Sequence, residues 1–185
     1  MKAFLNLTKY KKCRLWINDY VFPERKDVGK IIDKSIPASM QKRDVARMIA
    51  IEVSLPRNMS NYALVGFEFI PDTAGNVTEV SVFVSSEQTT YSYDNLALSN
   101  NVFSGIPDEF AQSVLESAIE TIKQIGGFSP GKLIFNIGAF SDSGSSIMIF
   151  RLATSALIKI SQFDIENMSD NLLQDELETF LTIRV

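Results

Sequence analysis

The sequence predicts an α+β fold: a two-layer sandwich whose mostly antiparallel sheet carries its helices side by side on one face. Three observations lead there. Tyr62 to Val84 alternates apolar and polar residues on both sides of a turn, as strands with one buried face do. Pro107 to Ile125 and Ser145 to Gln162 repeat apolar residues at helical spacing. Between these helices, Lys132 to Phe140 returns to the two-residue period of a strand.

The elements follow in chain order. Residues 1–60 read as a basic N-terminal part packed on the same domain, and residues 61–185 as the α/β domain proper. Arg14 to Phe22 is rich in aromatic and β-branched residues and reads as a strand that Pro23 ends. Ser39 to Ile51 puts Met40, Val45, Met48 and Ile49 on one face, which predicts a short amphipathic helix with a basic opposite face. Glu52 to Leu55 runs on as an extended segment. Tyr62 to Ile70 and Val77 to Val84 flank the turn at Asp72 to Asn76, so the pair reads as a hairpin. Gln88 to Tyr93 is a third, more polar strand nearer an edge, and Asp94 to Gly105 a loop.

The C-terminal half is more legible. Asp108 and Glu109 follow Pro107, where carboxylates suit the positive end of a helix. Phe110, Val114, Leu115, Ala118, Ile119 and Ile122 form that helix's buried stripe, and Gly126-Gly127 ends it. Leu133, Phe135 and Ile137 are expected on one face of the next strand. Ser141 to Gly144 makes a tight loop, after which Ser145 or Ser146 caps a helix apolar on more than one face, hence deeply buried. Ser169 to Thr179 predicts a third helix capped by Ser169 or Asp170, and Phe180 to Val185 a closing strand.

Composition excludes several chemistries. The 185 residues are 45% hydrophobic with 13 Phe, enough for a real core. There is no His and one Cys, which removes Ser-His and Cys-His nucleophile systems and zinc sites built on His or on several Cys. No apolar run has the length of a membrane helix, and the first residues lack the apolar core of a secretory signal. The expected location is the cytoplasm, away from membranes, which suits a lone Cys13. No phosphate-loop motif occurs, and Asp108/Glu109, Glu116/Glu120 and Asp175/Glu176 read as solvated helix faces rather than acid–base pairs. No cofactor, metal or catalytic residue is expected, and the chain reads as a protein other than an enzyme.

Two places remain where a ligand could engage. Ser141, Asp142, Ser143 and Gly144 stand before a helix, whose N–H groups favour an anion while Asp142 repels one; helix capping is the plainer reading. Charge is also split along the chain. Residues 1–47 carry 12 Lys and Arg against 5 Asp and Glu, whereas residues 48–185 carry 6 against 17. Lys9, Lys11, Lys12, Arg14, Lys42, Arg43 and Arg47 form the candidate basic surface. It suits RNA or, because its basic residues are interleaved with core-type apolar ones, packing on the acidic body.

One stretch carries a family resemblance. Gly105-Ile106-Pro107-Asp108-Glu109-Phe110 is similar to the turn that enters the first helix of the fourth domain of translational elongation factor G. Ser113 to Ile119 occupies the place of that helix, and Phe128 to Phe140 that of the family's turn and following strand. Ser145-Ser146-Ile147-Met148-Ile149-Phe150-Arg151-Leu152-Ala153 resembles the start of its second helix. The match covers about residues 103–160 and extends back to 62 if the paired strands belong to it. It implies a ribosomal-protein-like scaffold with a left-handed strand–helix–strand crossover, in which the helix Pro107 to Ile125 joins the strand before Asp94 to the strand Lys132 to Phe140, against the usual right hand. The family's loop that reaches the decoding centre is here cut to Phe140 to Gly144 and lacks its His, so the translocase role does not carry over. The resemblance implies a non-catalytic binding protein associated with the ribosome, a translation factor or RNA. The alternative is a protein-interaction module, such as an inhibitor or immunity-type partner, that reuses the scaffold.

Overall fold

Alternating β-branched and aromatic residues build one mixed sheet of nine strands among the described residues. The computed structural model describes residues 2–8, 11–18, 28–55, 61–86, 88–91, 94–97 and 101–182. Its strands are β1 (Lys2–Asn6), β2 (Lys12–Ile17), β3 (Val28–Pro37), β4 (Arg47–Ser54), β5 (Tyr62–Pro71), β6 (Val77–Ser85), β7 (Thr89–Thr90), β8 (Val102–Ser104) and β9 (Gly131–Ser141). Helices α1 (Asp108–Gln124), α2 (Ile147–Ile160) and α3 (Asp170–Phe180) complete it. The order across the sheet is β1-β2-β4-β5-β9-β6-β3, with β8 also on β9 and β7 on β8. Every ladder between strands is antiparallel except β6 with β9. The four strands of residues 2–54 therefore belong to the same sheet as the rest.

All three helices lie on one face. α1 packs on β6 and β3, α2 on β5 and β4, and α3 against α2 and β1. Side chains at alternate positions supply the floor: Cys13, Leu15 and Ile17 on β2, Ile49, Ile51 and Val53 on β4, Val65, Phe67 and Phe69 on β5. Phe110 and Phe150 stack at 4.6 Å and join α1 to α2. Each such buried side chain stabilises the fold by about 1.5–3 kcal/mol. Capping follows the sequence: Ser146 and Ser169 accept from Ile149 N and Leu172 N. Gly127 N reaches back to Ile122 O at 2.8 Å and closes α1.

Several expectations are corrected. The pair at 62–70 and 77–84 is no hairpin, because β9 lies between β5 and β6 and bonds to both. Two-residue periodicity fixes which face a strand buries, not which strand is its neighbour. Gly131 admits β9 there; a Cβ on it would stand 2.4 Å from Ile70 O, and its φ is +149°. The helix expected at 39–51 is absent: residues 38–46 are turn and irregular chain, and β4 begins at Arg47. The β-branched Ile49, Ile51 and Val53 alternate onto the helix-backed face between β2 and β5, which overrides the weaker helical spacing. β3, which the N-terminal reading passed over, edges the sheet along β6.

Along β9 the expected single face splits. Phe67 pairs with Phe135 and Gly66 with Ile137, so Asn136 is an extra residue, a β-bulge. Leu133 and Phe135 face the helices, while Ile137 and Ala139 turn to the other side. β7 is shorter than the strand expected at 88–93, of which residues 92–93 lie outside the described residues. The loop expected at 94–105 contains β8. Phe180 ends α3 rather than opening a strand, and residues 183–185 lie outside the described residues, as do 19–22 of the strand expected at Arg14 to Phe22.

The second face of the sheet carries a smaller apolar cluster. Trp16, Ala50, Tyr62, Leu64, Ile137 and Ala139 are covered there by Tyr91, Leu96 and Val102.

Candidate functional site

α2 is apolar nearly all round, yet its outward side is not filled. Ile147, Met148, Arg151, Leu152, Ser155 and Lys159 floor an open groove of about 890 Å³, walled by α1 and by the end of α3. Ile147 is 54% and Met148 63% exposed, which corrects the expectation of deep burial for the whole helix start. Arg151 forks to Glu116 Oε2 at 3.3 Å and Glu120 Oε2 at 2.6 Å, so this carboxylate pair braces α1 to α2. Ser117 Oγ donates to Arg151 O at 2.8 Å and Thr121 Oγ1 to Ser155 Oγ at 3.0 Å. Lys159 Nζ stands 5.7 Å from the centre of the Phe180 ring. The groove offers an apolar floor, fixed hydroxyls and an Arg151 paired to Glu116 and Glu120.

The Ser141 to Gly144 loop is knitted into the sheet. Ser141 is buried at the end of β9, and its N–H donates to Ser145 Oγ at 2.9 Å. Ser145 Oγ donates in turn to Tyr62 O at 2.7 Å. Gly144 O accepts from both Asn61 N and Tyr62 N at 2.7 Å. Asp142 Oδ2 accepts from Asn101 Nδ2 at 2.9 Å. Asp142 and Ser143 face outward. Ser145, which the sequence offered only as a cap, is the hydroxyl that ties this loop to β5.

The candidate basic residues are dispersed. Lys9 lies outside the described residues. Lys11 Nζ pairs with Glu178 at 2.6 Å. Burial would raise the Glu178 carboxyl, but hydrogen bonds from Lys11 and Thr8 outweigh it and hold the group below its ordinary value. Lys12 is exposed at the start of β2. Arg43 donates to Met40 O and Lys42 O, while Lys42 bonds Gln162 Oε1 and Arg47 bonds Ser161 O at 3.2 Å. Lys42 and Arg47 thus meet at the C-terminal end of α2, where cations suit the unpaired carbonyls. Partial burial lowers the pKa of Lys42.

Arg14 leads to a cluster that sequence reasoning missed. It lies on the second face, beside Glu52 of β4 and Tyr62 of β5. Glu52 Oε1 accepts from Leu96 N at 2.8 Å and Tyr62 Oη at 3.0 Å; its Oε2 accepts from Arg14 Nη1 at 3.3 Å. Arg14 also donates to Asp94 O at 2.9 Å and Asp94 Oδ2 at 2.7 Å. Glu52 has no exposed surface. Burial raises its pKa, against the Leu96 N–H, Arg14 and Tyr62. Burial first, then the neighbouring Glu52, raise Tyr62 as well. In sequence, Glu52 looks like any outward polar residue of a half-buried strand, and nothing in its neighbours announces the cover. Across the sheet, burial pushes the Cys13 thiol far above its ordinary value.

Among the described residues, no three His, Cys, Asp or Glu converge as a metal site, and no helix is long and apolar enough to cross a membrane. No known protein family, curated protein or solved structure matches the chain.

Proposed function

We propose that the chain is a non-catalytic protein-binding module that offers the groove over α2 to a protein partner. One observation carries this reading: Ile147 and Met148, two large apolar side chains, stand exposed at an open groove of about 890 Å³. The fate of the basic residues supports it. Lys11, Arg14, Lys42 and Arg47 bond to groups of their own fold, which weakens the case for an RNA surface. The inhibitor or immunity type is the class of module meant, and a cytoplasmic setting accords with the single Cys13.

The second reading is a ribosome-, translation-factor- or RNA-associated protein built on a scaffold like the fourth domain of elongation factor G. The parallel pairing of β6 with β9, with α1 on the connection between them, favours it, although the strand expected to open that crossover lies before Asp94 and pairs with β8 instead. It requires a left-handed connection there; a right-handed one in an experimental structure removes it.

Capture on the full-length chain from native lysate separates the two. The protein-binding reading expects one protein in stoichiometric amount, unaffected by nuclease and lost with Met148→Asp. Nucleic acid retained in a salt-sensitive way, and untouched by Met148→Asp, overturns it.

A further inference from the structure

The sheet ends in two edge strands, β1 and β3, and their sequences treat that position differently. A free edge offers unpaired N–H and C=O groups to any other strand; charged residues, proline and bulges are the usual protection. β3 has all three. Its register shifts between Val28 and Lys30, Lys30, Asp33 and Lys34 are exposed, and Pro37 closes it. β1, Lys2-Ala3-Phe4-Leu5-Asn6, carries one charged residue at its start and neither proline nor bulge. Phe4, at its centre, is 49% exposed.

The free side of β1 follows from its ladder. Leu7 N donates to Lys11 O at 2.8 Å, and the antiparallel pairing with β2 repeats that orientation at every second residue. The backbone groups of Ala3 and Leu5 therefore point to β2, and those of Phe4 and Asn6 point away. Among the described residues, no strand pairs with that outer side. Side chains alternate as well. Ala3 and Leu5 belong to the helix-backed cluster, while Phe4 lies on the other face, its ring centre 5.6 Å from the Arg14 guanidinium carbon.

We propose that this edge joins two copies of the chain, β1 to β1, antiparallel about a two-fold axis at Phe4. The strand is self-complementary in that register. Phe4 stands opposite Phe4 of the second copy and exchanges two backbone hydrogen bonds with it. Ala3 stands opposite Leu5, a small side chain against a larger one, and Lys2 opposite Asn6 rather than a second cation. A one-residue slip sets side chains of opposite faces against each other, so it does not compete. β3 has no such register: centred on Ile32 it opposes Lys30 to Lys34, and centred on Asp33 it opposes that carboxylate to its own copy. One five-residue strand from each copy is a small contact, so the dimer is weak and reversible, with a dissociation constant on the order of 10–100 µM. The interface is separate from the groove over α2, none of whose lining residues lies on β1.

Sedimentation equilibrium of the full-length chain from about 1 µM to about 1 mM tests this, with amide hydrogen exchange at both ends of the range. The expected result is a monomer–dimer equilibrium in which exchange of the Phe4 amide slows roughly five-fold at the high concentration. Phe4→Glu gives the monomer an ion pair with Arg14 but sets two carboxylates opposite each other at the axis. It is expected to raise the dissociation constant at least about ten-fold, whereas Met148→Asp at the groove leaves it unchanged. A chain that stays monomeric throughout overturns the proposal. So does a dimer whose Phe4 amide exchanges at the monomer's rate, or one that Phe4→Glu leaves intact.

Discussion

Glu52→Ala tests the buried Arg14–Glu52–Asp94 cluster most severely. The change strips one acceptor oxygen from both the Leu96 N–H and the Tyr62 hydroxyl and a second from Arg14. Each orphaned buried donor costs about 1–3 kcal/mol, and breaking a buried ion pair from one side costs about 3–5 kcal/mol. Two effects reduce the total. Arg14 keeps both bonds to Asp94, and the carboxylate's own desolvation is relieved. A loss of about 3–4 kcal/mol remains, which lowers Tm by roughly 10 °C for a chain of this size. Glu52→Gln separates the contributions. Its amide oxygen replaces Oε1 and serves Leu96 and Tyr62, while its NH₂ faces Arg14, so about 1–2 kcal/mol is expected. Urea unfolding followed by circular dichroism measures both, with unchanged slope as the sign of an unchanged transition. The pH dependence adds a signed check. Burial raises the Glu52 pKa, so the folded state holds that proton more tightly than the unfolded state. The stability this linkage contributes is present below the ordinary carboxylate range and lost as pH rises through the folded value. The wild type should therefore lose stability relative to Glu52→Gln as pH rises. A loss below about 1 kcal/mol for Glu52→Ala, or equal losses for the two variants, refutes the reasoning.

Other sites give independent expectations. Phe150→Ala removes a fully buried ring stacked on Phe110 and should cost about 3–5 kcal/mol in urea unfolding. Gly105→Ala should cost about 2–3 kcal/mol, since φ there is +98° and the new Cβ would stand 1.8 Å from Ser85 Oγ. Glu178→Gln should cost roughly 0.5–1 kcal/mol at neutral pH. Its deficit should shrink in acid, because the Glu178 carboxyl is held below its ordinary value and its contribution fades as pH falls through the folded value. Cys13 should resist a thiol reagent in the native chain and react at the rate of unfolding, as a fully buried thiol with a raised pKa must.

The helices were legible in the sequence because their signals are local. Ser146, Ser169 and the Gly126-Gly127 stop mark ends that need no knowledge of the rest of the chain. Strand neighbours are decided elsewhere: the residues of β5 and β6 read as a hairpin, and only β9, some fifty residues later, separates them. β4 was misread because Met40, Val45, Met48 and Ile49 mimic a helical stripe over a short window, whereas Ile49, Ile51 and Val53 respond to neighbours on both sides. Ser141 to Gly144 joins β9 to α2, and its tie through Ser145 to Tyr62 spans residues 83 apart. The Arg14–Glu52–Asp94 cluster was invisible for the same reason, since its members come from three separated segments. Exposure of Ile147 and Met148 at the start of α2 depends on which neighbours the fold brings there, which no periodicity encodes.

The position of β9 also governs the order in which the molecule can assemble. Without it, the two larger sets of strands, β1-β2-β4-β5 and β6-β3, have no ladder between them among the described residues. A chain leaving the ribosome has both pieces complete at Ser85, yet nothing bonds one to the other until residues 131–141 have emerged. Pairings this distant close late, and the open edges of β5 and β6 wait unprotected in the meantime. A fragment ending before Gly131 should therefore expose both inner edges and aggregate, and folding of the intact chain should be slowed most by substitutions within β9.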